Sequence, residues 1–215
     1  MVFSSATLPL PPVDLDPKLT RLASGTRLYR VHPAHFQGGQ FNLNRETTRR
    51  GRFHPFTDAQ DQVVPTLYAA DAIDGALSET VFHNVPGGGG RILRSRLRDL
   101  ELSCLINRSE LLMADLRGHG LRRLGLIRRQ LLESDACDYS LTACWAQALH
   151  RCNPAIQGLM WISRQFDQAT AFVLFGDRTD SALFQVEPDV LALDHGVGYK
   201  EVQRIAAEAR IAIVE

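Results

Sequence analysis

Leu28, Tyr29 and Val31 are set among polar neighbours over residues 26–32, and this alternation predicts a first strand. Residues 36–50 are polar and irregular, and Gly51-Arg52-Phe53 leads into a polar loop that ends at Pro65. Thr66-Leu67-Tyr68-Ala69-Ala70 predicts a short strand. From Asp71, a residue suited to an N-cap, the period becomes helical and predicts a helix over 72–83. Ile73, Leu77 and Val81 stack at i, i+4 and i+8 as its buried stripe, whereas Ala72, Ala76, Glu79 and His83 share the neighbouring face. Glu79 therefore lies beside small side chains, where another group can come close.

Pro86 and the glycines at 87–90 mark a flexible break. Beyond it the pattern predicts strands at 91–98 and 100–106 and helices at 110–115 and 121–132. A further helix, capped by Asp138 or Ser140, runs to about His150. Strands follow at 158–163 and 171–175, then a hairpin from 183–186 and 190–193, a helix over 199–209 and a last strand at 211–214. Residues 1–19, with Pro9, Pro11 and Pro12, predict an irregular tail. Strands and helices interleave without a regular βα period. The fold class expected is α+β: a single domain over 20–215 with a mixed sheet core and flanking helices.

Composition changes this picture little. A chain of 215 residues that is 45% hydrophobic has enough apolar material for one core. The 24 basic and 24 acidic residues cancel, so charge offers nothing for a nucleic-acid or membrane partner. Arginine is nevertheless clustered, with four between Arg91 and Arg98 and five between Arg117 and Arg129. Solvated helix faces explain such runs; a docking surface for an acidic partner is the sharper alternative. Cys104, Cys137, Cys144 and Cys152 form no CxxC pair, and no histidine cluster completes a metal site. The start carries no secretory pattern, and no apolar run is long enough to span a bilayer, so a cytoplasmic chain with free thiols is expected. No GxGxxG follows a strand, no GxxxxGK[ST] occurs and Ser163 lies in no GxSxG turn, which disfavours Rossmann, P-loop and acyl-transfer chemistry.

Several segments, taken in order, resemble the RES family, named for its Arg, Glu and Ser residues. They are Leu28-Tyr29-Arg30-Val31, Gly51-Arg52-Phe53, Leu67-Tyr68-Ala69-Ala70 and Ala76-Leu77-Ser78-Glu79-Thr80-Val81-Phe82-His83. Thr142 with Trp145-Ala146, residues 158–164 and Val173-Leu174-Phe175-Gly176-Asp177 complete the series. The likeness spans about residues 26–178. It implies a fold like that of ADP-ribosyltransferases. It also implies a toxin of a toxin–antitoxin pair, partnered by an Xre-type antitoxin, that degrades NAD⁺ by hydrolysis or phosphorolysis. Some relatives are described as ADP-ribosyltransferases, so transfer to a protein is the alternative reaction; a non-catalytic binding protein is a third reading. NAD⁺ is then a substrate, with water or phosphate as acceptor, and no cofactor or metal is expected. Two departures stand out: the family often has Gly-Gly-Arg-Trp-Asn where this chain has Arg50-Gly51-Arg52-Phe53-His54, and the stretch from Arg52 to Tyr68 is longer.

The resemblance assigns the catalytic positions to Arg52, Glu79, Tyr68 and Ser163; Arg30, Tyr29, Arg164 and Trp145 are further candidates for substrate binding, with core packing the alternative for Tyr29. A guanidinium at Arg52 can fork onto two phosphate oxygens. Arg30 suits phosphate or ribose contact, or a strand-end salt bridge. The Tyr68 ring can stack on nicotinamide or pack in the core. Glu79 can stabilise positive charge developing on the ribose. The Ser163 hydroxyl can hold the nicotinamide amide or bond backbone. Trp145 can wall the pocket or fill the core, and His83 fits a structural role or support of Glu79.

Overall fold

The β-branched and aromatic segments named above pair chiefly with partners distant in sequence. In the computed structural model, which describes residues 7–44, 51–86 and 88–215, they build a nine-stranded mixed sheet. The parts of the irregular opening, the 36–50 stretch and the glycine break that fall at 1–6, 45–50 and 87 lie outside the described residues. The strands are β1 (Leu19–Leu22), β2 (Arg27–Pro33), β3 (Thr66–Ala70), β5 (Leu100–Asn107), β6 (Leu111–Asp115), β7 (Gly158–Ile162), β8 (Thr170–Phe175), β9 (Phe184–Val186) and β10 (Leu191–Ala192). Their order is β1-β6-β7-β8-β3-β2-β5-β10, with β9 also on β5. β6 and β7 run parallel, and the remaining pairs in this sheet are antiparallel. A separate two-stranded parallel sheet joins β4 (Gly90–Leu93) to β11 (Ile211–Val214).

The helices flank this sheet: α1 (Ile73–Thr80), α2 (His119–Arg123), α3 (Arg128–Leu131), α4 (Tyr139–Cys152) and α5 (Gly196–Glu208). A core cluster that includes Phe53, Trp145, Leu149, Leu159, Trp161 and Val173 lies among α4, β7 and β8. A second, including Leu77, Val81, Leu102, Val202 and Ile205, joins α1 and α5 to β5. The fold is the mixed sheet with flanking helices that the interleaved pattern predicts.

Several elements depart from expectation, each for a physical reason. Where a helix is expected over 110–115, Leu111–Asp115 form a strand. Leu111, Met113 and Ala114 are buried on β6, flanked by β1 and β7, so the two-residue alternation is absent and pairing overrides helix propensity. The helix over 121–132 is split into α2 and α3. Leu126 N–H donates to the Leu121 carbonyl and Gly125 N–H to that of Arg122, a Schellman closure with Gly125 at φ +71°. Asp71 caps no helix: its Oδ1 accepts from Thr170 N–H at 2.8 Å, and Ala72 is the N-cap of α1. Of the expected 91–98 strand only 91–93 pair, as part of β4, and a 3₁₀ turn (Arg94–Leu97) follows. The expected hairpin does not form, because β9 and β10 both lie along β5, interrupted by Pro188. Leu8, within the expected tail, is buried, and the Pro9 carbonyl accepts from Trp145 Nε1 at 2.7 Å.

Candidate functional site

A sheet with one weak seam offers a natural opening. β2 and β3 share a single register pair, Tyr29 opposite Ala70, whereas β2 pairs with β5 over seven positions. A cavity of about 430 Å³ opens beside this seam. Tyr29 and Arg30 line it from β2, Tyr68 and Ala69 from β3, Trp161 and Ala171 from β7 and β8. Ala76, Glu79, Thr80 and His83 close it from α1 and the residues after it, and Gly51, Arg52 and His54 from the loop before β3. Tyr139, the first residue of α4, completes the wall. The helix face carrying Ala76, Glu79 and His83 thus turns to the cavity while Leu77 and Val81 enter the core.

Glu79 is fixed from behind. Ser163 Oγ donates to Glu79 Oε1 at 2.6 Å, and the Arg164 backbone N–H donates to the same oxygen at 2.7 Å. Ser163 is fully buried, its Oγ also accepts from Phe166 N–H, and its carbonyl accepts from Arg128 Nη2 at 2.8 Å. Close approach of α1 makes this contact possible. A Cβ on Gly75 would lie 2.6 Å from Ala169 Cβ, so glycine lets the helix settle onto the 163–169 turn. Glu79 Oε2 is left facing Arg52 Nη1 at 3.8 Å, with side-chain exposures of 15% and 4%.

Arg52 is held by its backbone as much as by its charge. Its carbonyl accepts from Thr142 Oγ1 on α4, and its guanidinium lies 5.9 Å from the Tyr139 ring centroid. Its Nε and Nη2 have no hydrogen-bond partner among the described residues, nor has Trp161 Nε1. Buried N–H groups without acceptors are uncommon in folded proteins and suit a ligand that supplies oxygens.

Tyr68 uses its hydroxyl within the loop. Its Oη accepts from Phe53 N–H and is paired with His54 Nδ1, each at 3.0 Å, and burial pushes its pKa up. Burial likewise pushes the His54 imidazole down to about 4.

Other positions expected in the site are placed differently. Arg30 is buried, its Nη1 donates to the Gly38 and Gln40 carbonyls at 2.7 and 2.6 Å, and desolvation lowers its pKa to about 10; it braces the 34–40 loop while bordering the cavity. Ser163 stands behind Glu79 and does not line the cavity. Arg164 contributes its backbone N–H, whereas its side chain turns to the Ser134 carbonyl and an adjoining recess. Trp145 is buried in the core, away from the cavity wall. Sequence reasoning gave no site role to His54, Tyr139, Trp161 or Thr142. His54, Trp161 and Thr142 fall in segments that carry the family likeness, whereas Tyr139 had no such signal.

No group of three His, Cys, Asp or Glu side chains among the described residues is arranged to hold a metal. Among the same residues no helix is long and apolar enough to cross a membrane.

Comparison with known families matches the RES domain to residues 27–210. No curated protein matches the chain. Among solved structures, the chain is similar to one in the M. tuberculosis MbcT–MbcA toxin–antitoxin complex, with a TM-score of 0.58 at 16% identity over 87% of this chain and 92% of that one. At that identity the similarity is one of fold.

Proposed function

The chain belongs to the RES-domain family, and from that premise we propose that it cleaves the nicotinamide–ribose bond of NAD⁺ as the toxin of a toxin–antitoxin pair. The observation that carries this reading is the fixed carboxylate of Glu79, held on one oxygen by Ser163 and Arg164 and presented in an aromatic-walled cavity. Departure of nicotinamide leaves positive charge on the ribose. A carboxylate already oriented there stabilises that charge without paying for reorganisation as the bond breaks. Tyr29, Tyr68 and Trp161 offer ring faces and edges to the flat pyridinium, and Arg52 has N–H groups to give to substrate oxygens. Water or phosphate takes the ribose. A protein antitoxin that covers the cavity would silence it; the toxin–antitoxin setting of the MbcT–MbcA structure supports such a partner.

The test is incubation of purified protein with NAD⁺, with and without phosphate, followed by separation of products. Nicotinamide is released by the wild type, and Glu79→Gln lowers kcat/KM by about 100-fold or more, the scale of losing a preorganised charge. Intact NAD⁺ after wild-type incubation in both buffers overturns the reading.

A further inference from the structure

His54 stands where the RES pattern often has Asn, and its surroundings lock it more tightly than a loop histidine requires. Gly51 and His54 hydrogen-bond to each other through their backbones, N–H to carbonyl in both directions, at 3.1 and 3.4 Å. That turn lays the imidazole against Gly51: a Cβ there would lie 2.2 Å from the ring Cε1, so only glycine leaves room for it. The ring packs edge-on to Tyr68, with centroids 5.2 Å apart.

One tautomer gives both the Tyr68 hydroxyl and its proton a partner. The Tyr68 hydroxyl accepts from Phe53 N–H, and for its own proton the acceptor within reach among the described residues is His54 Nδ1. In that tautomer Nδ1 is the bare nitrogen, and Nε2 carries hydrogen. Nε2 has no partner among the described residues, and His54 lines the cavity that holds Arg52 and Glu79. Burial keeps the ring uncharged. An uncharged donor suits this place: an imidazolium would repel a pyridinium, whereas a neutral N–H can bond its carboxamide without adding charge.

We propose that His54, clamped by Gly51 and oriented by Tyr68, recognises the substrate by donating Nε2–H to the carboxamide oxygen of the nicotinamide ring. This rests on the NAD⁺-cleaving reading, and it makes His54 a binding residue that discriminates among pyridinium bases.

Titration with free nicotinamide, which has no bond to cleave, reads recognition alone. His54→Asn keeps an acceptor for Tyr68 near the Nδ1 position but is too short to donate at Nε2, whereas His54→Gln reaches that position with an amide N–H. Loss of one hydrogen bond to an uncharged acceptor weakens nicotinamide about tenfold in His54→Asn, and His54→Gln returns to within about threefold of wild type. Thionicotinamide, whose sulfur is a poor acceptor, binds wild type and His54→Asn within about threefold of each other. Equal weakening of both ligands in His54→Asn shows a merely structural role and overturns the proposal, as does unchanged nicotinamide affinity or no binding to wild type. Wild type that binds nicotinamide in this pattern but leaves NAD⁺ intact upholds the recognition role and sinks the enzymatic reading alone.

Discussion

Ser163 and Glu79 divide labour in a way their shared place in a motif does not reveal. The serine touches the carboxylate from the protein side, and the carboxylate meets the cavity. Ser163→Ala removes one of two donors to Oε1 while Arg164 N–H remains. Hydrogen bonds to a charged group are worth about 1.5–3 kcal/mol, so kcat is expected to fall roughly tenfold or more with KM for NAD⁺ little changed, as steady-state kinetics would show. A rise in KM at constant kcat would instead place the serine on the substrate. Arg52, Tyr68 and Glu79 were legible in the sequence because each sits in a short motif. Tyr139 was not, and Thr142 was legible only as part of the family likeness: they act through an aromatic face and a backbone carbonyl about 90 residues from Arg52, contacts that no local pattern announces. Trp145 could be read as wall or core, and the chain settles the matter with a segment that looked like a tail, since the Pro9 carbonyl takes its indole N–H.

At the level of the element, α1 is the part on which the site depends. Its depth is set at Gly75, against Ala169 and Ala70, four residues before Glu79. Gly75→Val must lift the helix from the sheet. The expected cost is about 1–3 kcal/mol of stability, read from urea unfolding, together with loss of NAD⁺ cleavage as Glu79 leaves Ser163 and Arg164. Retained activity with the full stability loss would show that the helix position does not matter to the carboxylate. Elements with a half-buried face, such as β2 and α5, were legible because the buried side imposes a period. β6 was not, because neighbours bury it from both sides and its Leu-Leu-Met-Ala run has a helix former's composition. The split between α2 and α3 turned on Gly125, and the expected hairpin on Pro188, each one residue in a longer apolar pattern.

For the whole molecule, buried titratable groups set an acid limit. His54 and His32 are both held below the usual histidine range, chiefly by burial. The folded chain refuses protons that the unfolded chain accepts, so stability is full above pH 6.5 and declines as pH falls towards 4. For His54 the shift from 6.5 to about 4 corresponds to about 3 kcal/mol. Asp115 and Asp177 add a second loss at lower pH. Burial alone would raise them, but Arg117 and Lys18, and His150 and Arg178, hold them below the normal carboxylate value. Thermal melts from pH 8 to 4 should show Tm constant above 6.5 and falling below it, with a shallower fall in His54→Asn. An equal slope in that variant would assign the acid sensitivity elsewhere.

The hydrogen bonds from Ser163 and Arg164 to Glu79 span 84 and 85 positions of chain. Translation at about 5–20 residues per second separates the codons for Glu79 and Ser163 by roughly 4–17 s. Through that interval β8 does not yet exist, β7 and Trp161 arrive only at its end, and neither donor to the carboxylate has been made. A ribosome that stalls before Ser163 therefore leaves Glu79 without either donor. An oriented carboxylate, and with it the chemistry proposed for the cavity, comes into being only after Ser163 and Arg164 have been added and α1 has closed onto them.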